Sequence, residues 1–183
     1  MEGEACNLEQ LVDGRFNLVI SMFGAMFAPR PFDVAREMVR VTQARGRIVM
    51  GNWIPGDQTL VAQVLRISAS YMAPQPEGFV SPITWGVEEN VRERFGAAGV
   101  PPGRIACERA TYVFRDARPS SEFLATFRNY YGPTTNAFEA AAPEGREADL
   151  QAELVDLFTS QNRGGPDRTE IPATYLKVLI TKD

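Results

Sequence analysis

The chain contains no histidine among its 183 residues. This absence excludes Ser-His-Asp and Cys-His nucleophile systems, histidine metal sites and histidine general bases. The two cysteines, Cys6 and Cys107, lie far apart and belong to no metal-binding motif, so each is predicted to be a reduced, partly buried apolar residue. Any chemistry must therefore come from a cofactor or from carboxylates.

Long apolar runs and clusters of basic residues are also lacking. No run approaches the roughly 18 residues of a membrane span, and the first residues, MEGE, are acidic and lack the apolar stretch of a signal peptide. The 19 basic residues are scattered and the net charge is -4, whereas a nucleic-acid surface needs a basic stripe. We therefore expect a cytoplasmic protein with neither a membrane nor a nucleic-acid partner.

The stretch FNLVISMFGAMFAP, Phe16 to Pro29, begins as a strand and ends as an apolar loop. The run Leu18–Ile20 is typical of a strand buried on both faces. Residues 30–46 are predicted to form an amphipathic helix with Gly46 as its C-terminal cap. Residues 47–53 are predicted to form a second buried strand. This order indicates a βαβ unit with parallel strands.

The rest of the chain continues the alternation of helices and strands. A helix is predicted from Asp57, a second at 87–99, an edge strand at Arg104–Asp116, helices at 120–132, 135–142 and 144–160, and a final strand at 173–183. Four strands and about six helices predict an open α/β sheet. Ligands of such sheets bind beyond the carboxyl ends of the strands, where residues 21–27 and Asn52–Trp53 lie.

Several short segments carry a resemblance to a known family. Gly3–Ala5, Phe16–Val19 and Gln43–Gly46 follow the order and spacing of segments of the forms GDA, FDVV and RPGG, and NWIP, SPITWG, YVFR and FRNYYGPT follow later. Over nearly its whole length the chain resembles class I S-adenosylmethionine (SAM)-dependent methyltransferases, particularly the small-molecule type related to quinone biosynthesis. The resemblance implies a partial Rossmann-like open sheet with helices on both faces and with its N-terminal strands missing.

The resemblance also implies a cofactor site. Glu4 would accept a hydrogen bond from the adenine amine, and the Ala5 N–H would face an adenine ring nitrogen. Ser21, Met22 and Phe23 would lie under the methionine end of SAM. Because the sulfonium is already activated, the protein needs to supply only alignment and a dry pocket. The alternatives are that Glu4 is a surface carboxylate and that the Met and Phe side chains are core packing.

Aromatic residues are the candidates for the acceptor pocket, with the segment 54–86 as its lid. They are Phe27, Trp53, Tyr71, Trp85 and Tyr130. Aromatic residues at helical spacing also pack in ordinary cores, so this alternative stays open. No catalytic residue and no metal ligand is assigned, and Glu88 and Glu89 are interpreted as partners of a helix dipole.

The chain departs from the family pattern at several positions. Asn17 replaces an Asp, Ala44-Arg45 replaces a Pro-Gly turn, and Cys6 stands where Glu is common. The family's glycine-rich loop, which holds the methionine carboxylate, is absent. The chain therefore resembles a methyltransferase whose N-terminal half is missing, so SAM binding is expected to be weakened or lost. Strand 16–21 would have an open apolar edge, and we hypothesise self-association through it.

The sequence thus predicts one methyltransferase-like domain, 1–183. Within it, 1–53 is the C-terminal part of the cofactor-binding core, 54–103 the lid and acceptor region, and 104–183 the remaining sheet and helices. The leading hypothesis is SAM-dependent methyl transfer to a small apolar or aromatic acceptor. One alternative is a catalytically silent domain acting as a dimerisation or interaction module, and another is half of a split methyltransferase.

Overall fold

The computed structural model describes residues 3–183, which contain ten helices and strands besides short 3-10 turns. In chain order these are β1 (Phe16–Met22), α1 (Pro31–Val41), β2 (Thr42–Trp53), α2 (Leu60–Ser70), α3 (Glu88–Ala97), β3 (Ile105–Asp116), α4 (Ser120–Tyr130), α5 (Gly132–Ala141), α6 (Glu147–Gln161) and β4 (Thr169–Thr181). The strands form one sheet in the order β1-β2-β4-β3. The prediction of an open α/β sheet flanked by helices is therefore confirmed.

The βαβ unit is present as predicted. β1 pairs with β2 in parallel, and β4 pairs with β2 in the antiparallel sense. α1 forms because its apolar residues recur at helical spacing, and Val34, Ala35, Met38 and Val41 are all buried. The carboxyl ends of β1 and β2 therefore lie at the same edge of the sheet.

The predicted end of α1 was wrong. The helix ends at Val41, and Gly46 lies within β2 instead of capping the helix. The Lys182 Nζ donates hydrogen bonds to the Val39 and Thr42 carbonyl oxygens at 2.8 and 2.6 Å. A distant lysine therefore satisfies the helix C-terminus, where a cation is favourable. A glycine is needed at position 46 because the backbone there passes close to Thr42: a Cβ on residue 46 would lie 2.7 Å from the Thr42 Cγ2.

The predicted burial of β1 on both faces was also wrong. β1 is an edge strand, and Leu18 and Ile20 are 40% and 59% exposed. In residues 3–183, β2 is the strand that pairs with β1, so its outer edge has no strand beside it. The interior strands β2 and β4 are the buried ones, with Ile48, Met50, Val178 and Ile180 fully covered.

The chain divides into two compact units. The first comprises the described part of Met1–Pro55 together with Gly78–Ala110 and Tyr175–Asp183, and α1 packs on α3 within it. The second comprises Gly56–Glu77 and Thr111–Thr174, in which α2, α4, α5 and α6 pack on one another. The single domain with its three regions stays a prediction. No helix between residues 3 and 183 has both the length and the apolar character that crossing a membrane requires.

Candidate functional site

A cavity of about 480 Å³ lies in the first unit beside the carboxyl half of β1. Its walls come from the N-terminal segment, the end of β1, the loop that follows and helix α1; they are Glu4, Ala5, Leu8, Val19, Ile20, Ser21, Gly24, Ala25, Phe27, Ala28, Pro29 and Met38. Four residues predicted for the site, Glu4, Ala5, Ser21 and Phe27, are therefore brought together. Most of the wall is apolar, and Glu4 supplies a carboxylate.

Helix α1 holds the N-terminal segment in place. The Leu8 N–H donates to the Glu37 Oε2 at 2.6 Å, and Arg40 donates to the carbonyl oxygens of Leu8 and Leu11, each at 2.8 Å. Arg40 also binds Glu37, with Nη2 and Oε2 2.7 Å apart. The hydrogen bond from Arg40 lowers the pKa of Glu37, which therefore remains an anionic acceptor. This pair positions the segment that carries Glu4.

Cys6 provides a second attachment of the same segment. The Arg30 N–H donates to the Cys6 Sγ at 3.4 Å, which links the segment to the residue before α1. Burial raises the pKa of the Cys6 thiol, and Cys6 and Cys107 are both free cysteines, as predicted. The Cys6 N–H donates to the Glu4 Oε1 at 3.3 Å. This bond leaves the second oxygen of Glu4 for a ligand.

Ser21 is the next-to-last residue of β1 and accepts a hydrogen bond from the loop that follows. Its Oγ accepts the Ala25 N–H at 2.9 Å, at the start of the 3-10 turn Ala25–Phe27. This bond satisfies the Ala25 N–H, a backbone donor at the beginning of the turn. Ser21 therefore forms the floor of the cavity and also fixes the loop that carries Phe27.

Met22 and Phe23 do not line this cavity. Strand alternation sends the side chains of Ser21 and Met22 to opposite faces, and a Cβ on Gly51 would lie 2.5 Å from the Met22 Cε. Phe23 has a φ of 61°, in the left-handed region. Its ring stacks on Trp53, with centroids 3.8 Å apart and an interplanar angle of 3°. Their predicted role beneath the methionine end of SAM stays a prediction.

The five aromatic residues predicted for the acceptor pocket have different surroundings. Phe27 lines the cavity, whereas Trp53 and Trp85 are buried in the core of the first unit. Tyr71 belongs to the second unit, where its hydroxyl donates to the Glu153 Oε1 at 2.6 Å and this bond raises the Tyr71 pKa. Tyr130, also in the second unit, is 83% exposed. Their role in acceptor binding stays a prediction.

The burial of Arg94 was not predicted from the sequence. Arg94 lies in the last turn of α3, where a cation interacts favourably with the helix dipole, yet only 5% of it is exposed. The buried side chain of Asn52, at the carboxyl end of β2, was missed as well. A charged residue next to an apolar helix position is the only signal that could have drawn attention to Arg94.

The described part of the chain contains no candidate metal site. Among residues 3–183, no three His, Cys, Asp or Glu side chains are grouped so that they could hold a metal ion. The cavity combines apolar walls with a single carboxylate. This arrangement suits an aromatic or heterocyclic ring that carries an amine donor.

Comparison with solved structures identifies the fold. A candidate methyltransferase of Bacillus halodurans C-125 superimposes with a TM-score of 0.51 at 12% identity, over 98% of this chain and 75% of that protein. The YcgJ protein of Bacillus subtilis gives a TM-score of 0.50 at 12% identity, over 100% of this chain and 70% of that protein. The chain therefore has the Rossmann-like fold of class I methyltransferases.

Sequence comparison finds relatives without assigning a family. No family model matches the chain. Uncharacterised proteins of Mycobacterium bovis and Mycobacterium tuberculosis are 30% identical to it over 145 residues, which are 79% of this chain and 51% of each relative. The chain thus spans about half the length of the curated relatives it matches.

Proposed function

We propose that this chain takes part in SAM-dependent methyl transfer and that the cavity beside β1 receives the adenine end of the cofactor. The observation that carries the proposal is the position of this cavity. It lies at the carboxyl end of a parallel strand in a methyltransferase fold, and ligands of open α/β sheets bind at that edge.

The residues of the cavity fit an adenine ring. The free oxygen of Glu4 would accept the exocyclic amine, and the Ala5 N–H would donate to a ring nitrogen. Leu8, Ala25 and Met38 offer apolar surface to the ring. Bound SAM would supply the activated methyl group, so the chain's own residues need only bind, orient and exclude water.

The acceptor in this proposal is a small apolar or aromatic molecule, as in methyltransferases of the quinone-biosynthesis type. Phe27 is exposed at the cavity wall. Phe23, just after β1, Trp53, at the end of β2, and Tyr175, within β4, form an aromatic group in which Tyr175 is edge-on to both other rings. Such surfaces favour flat apolar molecules over ions.

A second candidate function is that of half of a split methyltransferase, or of an interaction module. The open outer edge of β1 favours it, together with the exposed apolar side chains of Leu18, Ile20 and Met22, which share one face of this strand. An apolar edge strand is a surface prepared for pairing with another strand. In this case SAM binding would require the polypeptide that pairs with β1.

Isothermal titration calorimetry of the chain with SAM and with S-adenosylhomocysteine tests the proposal. Binding of both ligands is expected. Sinefungin, which retains the adenine end, serves as a third ligand. An absence of heat with all three at millimolar concentration would contradict autonomous cofactor binding and favour the second candidate.

A further inference from the structure

Arg94 is a buried cation without an anionic partner. It lies in α3, is 5% exposed, and forms no ion pair with any residue of the described chain. Its Nη2 donates to the Thr84 Oγ1 at 2.8 Å, and its Nη1 has no partner in residues 3–183. Burial lowers the pKa of Arg94, and the nearby Glu93 opposes that shift. Buried charges in proteins are normally paired, so an unpaired buried guanidinium is a candidate binding group for an anion.

The guanidinium is held in a fixed position. It lies over the Trp85 ring, 4.5 Å from its centroid, and Trp85 packs edge-on against Phe95 at 6.0 Å. The Asn90 Nδ2 donates to the Thr84 carbonyl oxygen at 3.0 Å, which ties the turn 82–86 to α3. A cation stacked and oriented in this way loses little freedom when it binds a planar anion.

A second unpartnered donor lies beside the guanidinium. The Trp85 Nε1 is buried and has no hydrogen-bond partner in the described chain. The turn 82–86 contacts the end of β2 closely, because a Cβ on Gly86 would lie 2.0 Å from the Trp53 carbonyl oxygen. The Arg94 Nη1 and the Trp85 Nε1 are both donors, a composition that favours a ligand with anionic oxygens.

We propose that Arg94 binds the carboxylate of a small-molecule ligand at the carboxyl end of β2, with Trp85 as a further donor. A carboxylate carries one negative charge, which balances the single guanidinium; a dianionic phosphate would leave a buried excess charge. The planar carboxylate also matches the fork of the guanidinium. The proposal needs neither SAM nor methyl transfer, so it stands or fails separately from the proposed function.

Differential scanning fluorimetry and calorimetry with formate, acetate and benzoate test this site. Benzamide is the neutral counterpart of benzoate, and inorganic phosphate is the dianionic probe. For the wild-type chain we expect a rise in melting temperature with at least one carboxylate, a smaller rise with phosphate and none with benzamide. No response to any carboxylate, or an equal response to phosphate, would overturn the proposal.

Arg94→Leu should remove the carboxylate response, with an affinity at least about 10-fold lower. This variant is expected to fold, because an apolar side chain at a buried, unpaired charge is tolerated well. Arg36→Leu is the matched control, since Arg36 lies in the same unit with an exposed side chain. Carboxylate binding that is equal in Arg94→Leu and wild type would refute the assignment.

If Arg94→Leu does not fold, Arg94→Lys takes its place. Lysine keeps the charge but loses the planar fork. Weaker carboxylate binding by Arg94→Lys, with Arg36→Lys unaffected, would support the site. Affinity equal to that of the wild-type chain would count against a role for the guanidinium.

Discussion

Glu4 is the charged side chain at the wall of the cavity beside β1, with one oxygen engaged by the Cys6 N–H. If it accepts the adenine amine, Glu4→Ala removes a hydrogen bond to a charged group, worth about 1.5–3 kcal/mol. We expect the affinity for S-adenosylhomocysteine to fall roughly 10- to 100-fold in calorimetric titrations. Glu9→Ala, an exposed carboxylate in the same segment, is the control. Unchanged affinity in Glu4→Ala would place adenine elsewhere.

The contribution of Glu37 to stability is expected to depend on pH, because its carboxylate holds the N-terminal segment. The hydrogen bond from Arg40 lowers its pKa below the usual 4.5. A depressed carboxyl pKa stabilises the folded state above the usual pKa, and this stabilisation is lost as the pH falls through the folded-state pKa. We therefore expect the difference in unfolding free energy between wild type and Glu37→Gln to be full at neutral pH and to shrink below about 4.5.

Urea unfolding at a series of pH values measures this difference. Glu9→Gln provides the comparison, because Glu9 is an exposed residue of the same segment. A difference for Glu37→Gln that stays constant from neutral to acidic pH would show that the carboxylate does not stabilise the segment through its charge. The comparison isolates ionisation, since Glu and Gln have nearly the same shape.

At the scale of elements, β1 supports the hypothesis of self-association. Its residues FNLVISM include no charge and no proline, the usual protections of an edge strand. Leu18, Ile20 and Met22 alternate along the strand and are all exposed. We expect the chain to form dimers or larger species through this edge in sedimentation velocity experiments. Ile20→Lys should shift the distribution toward monomer, because a charged side chain on an edge strand opposes its pairing with another strand.

Val12→Lys is the control for that experiment. Val12 is 72% exposed and lies outside β1. Its substitution by lysine therefore changes the charge and the apolar surface of the chain without altering the edge strand. Circular dichroism should show that both variants fold. A monomeric wild-type chain at every concentration, or equal dissociation by Val12→Lys, would refute association through β1.

The same elements show how far the sequence predicts the fold. β1, α1, β2 and α3 follow from hydrophobic periodicity, which is a local property. The end of α1 does not, because its carbonyl groups are satisfied by Lys182, which is distant in the sequence. The apolar run of β1 predicts a strand but cannot say what covers it.

The candidate site was predicted less completely than the fold. Glu4, Ala5 and Ser21 were predicted from the resemblance and Phe27 as an aromatic candidate, and all four line one cavity. The orientation of Phe23 depends on a left-handed backbone, which non-glycine residues seldom adopt. The burial of Arg94 depends on the turn 82–86 packing beside α3, and no periodic pattern encodes such a contact.

At the scale of the whole molecule, strands β3 and β4 each contribute residues to both compact units. Both tryptophans, Trp53 and Trp85, belong to the first unit, so their fluorescence reports on it alone. Far-UV circular dichroism, in contrast, is dominated by helices of both units. Because continuous strands connect the two cores, we expect them to unfold together in one transition.

Phe158→Ala tests this coupling from the second unit. Phe158 is fully buried in α6, with its ring centroid 5.1 Å from that of Phe127 and 6.2 Å from that of Phe123. Its truncation should cost about 3–5 kcal/mol and lower the urea midpoint equally by tryptophan fluorescence and by circular dichroism. Phe32→Ala, at a residue that is 42% exposed, should move neither midpoint by much. A circular dichroism midpoint that falls while the fluorescence midpoint stays constant would mean that the two units unfold independently. The cavity beside β1, which lies in the first unit, would then remain folded after the second unit has unfolded.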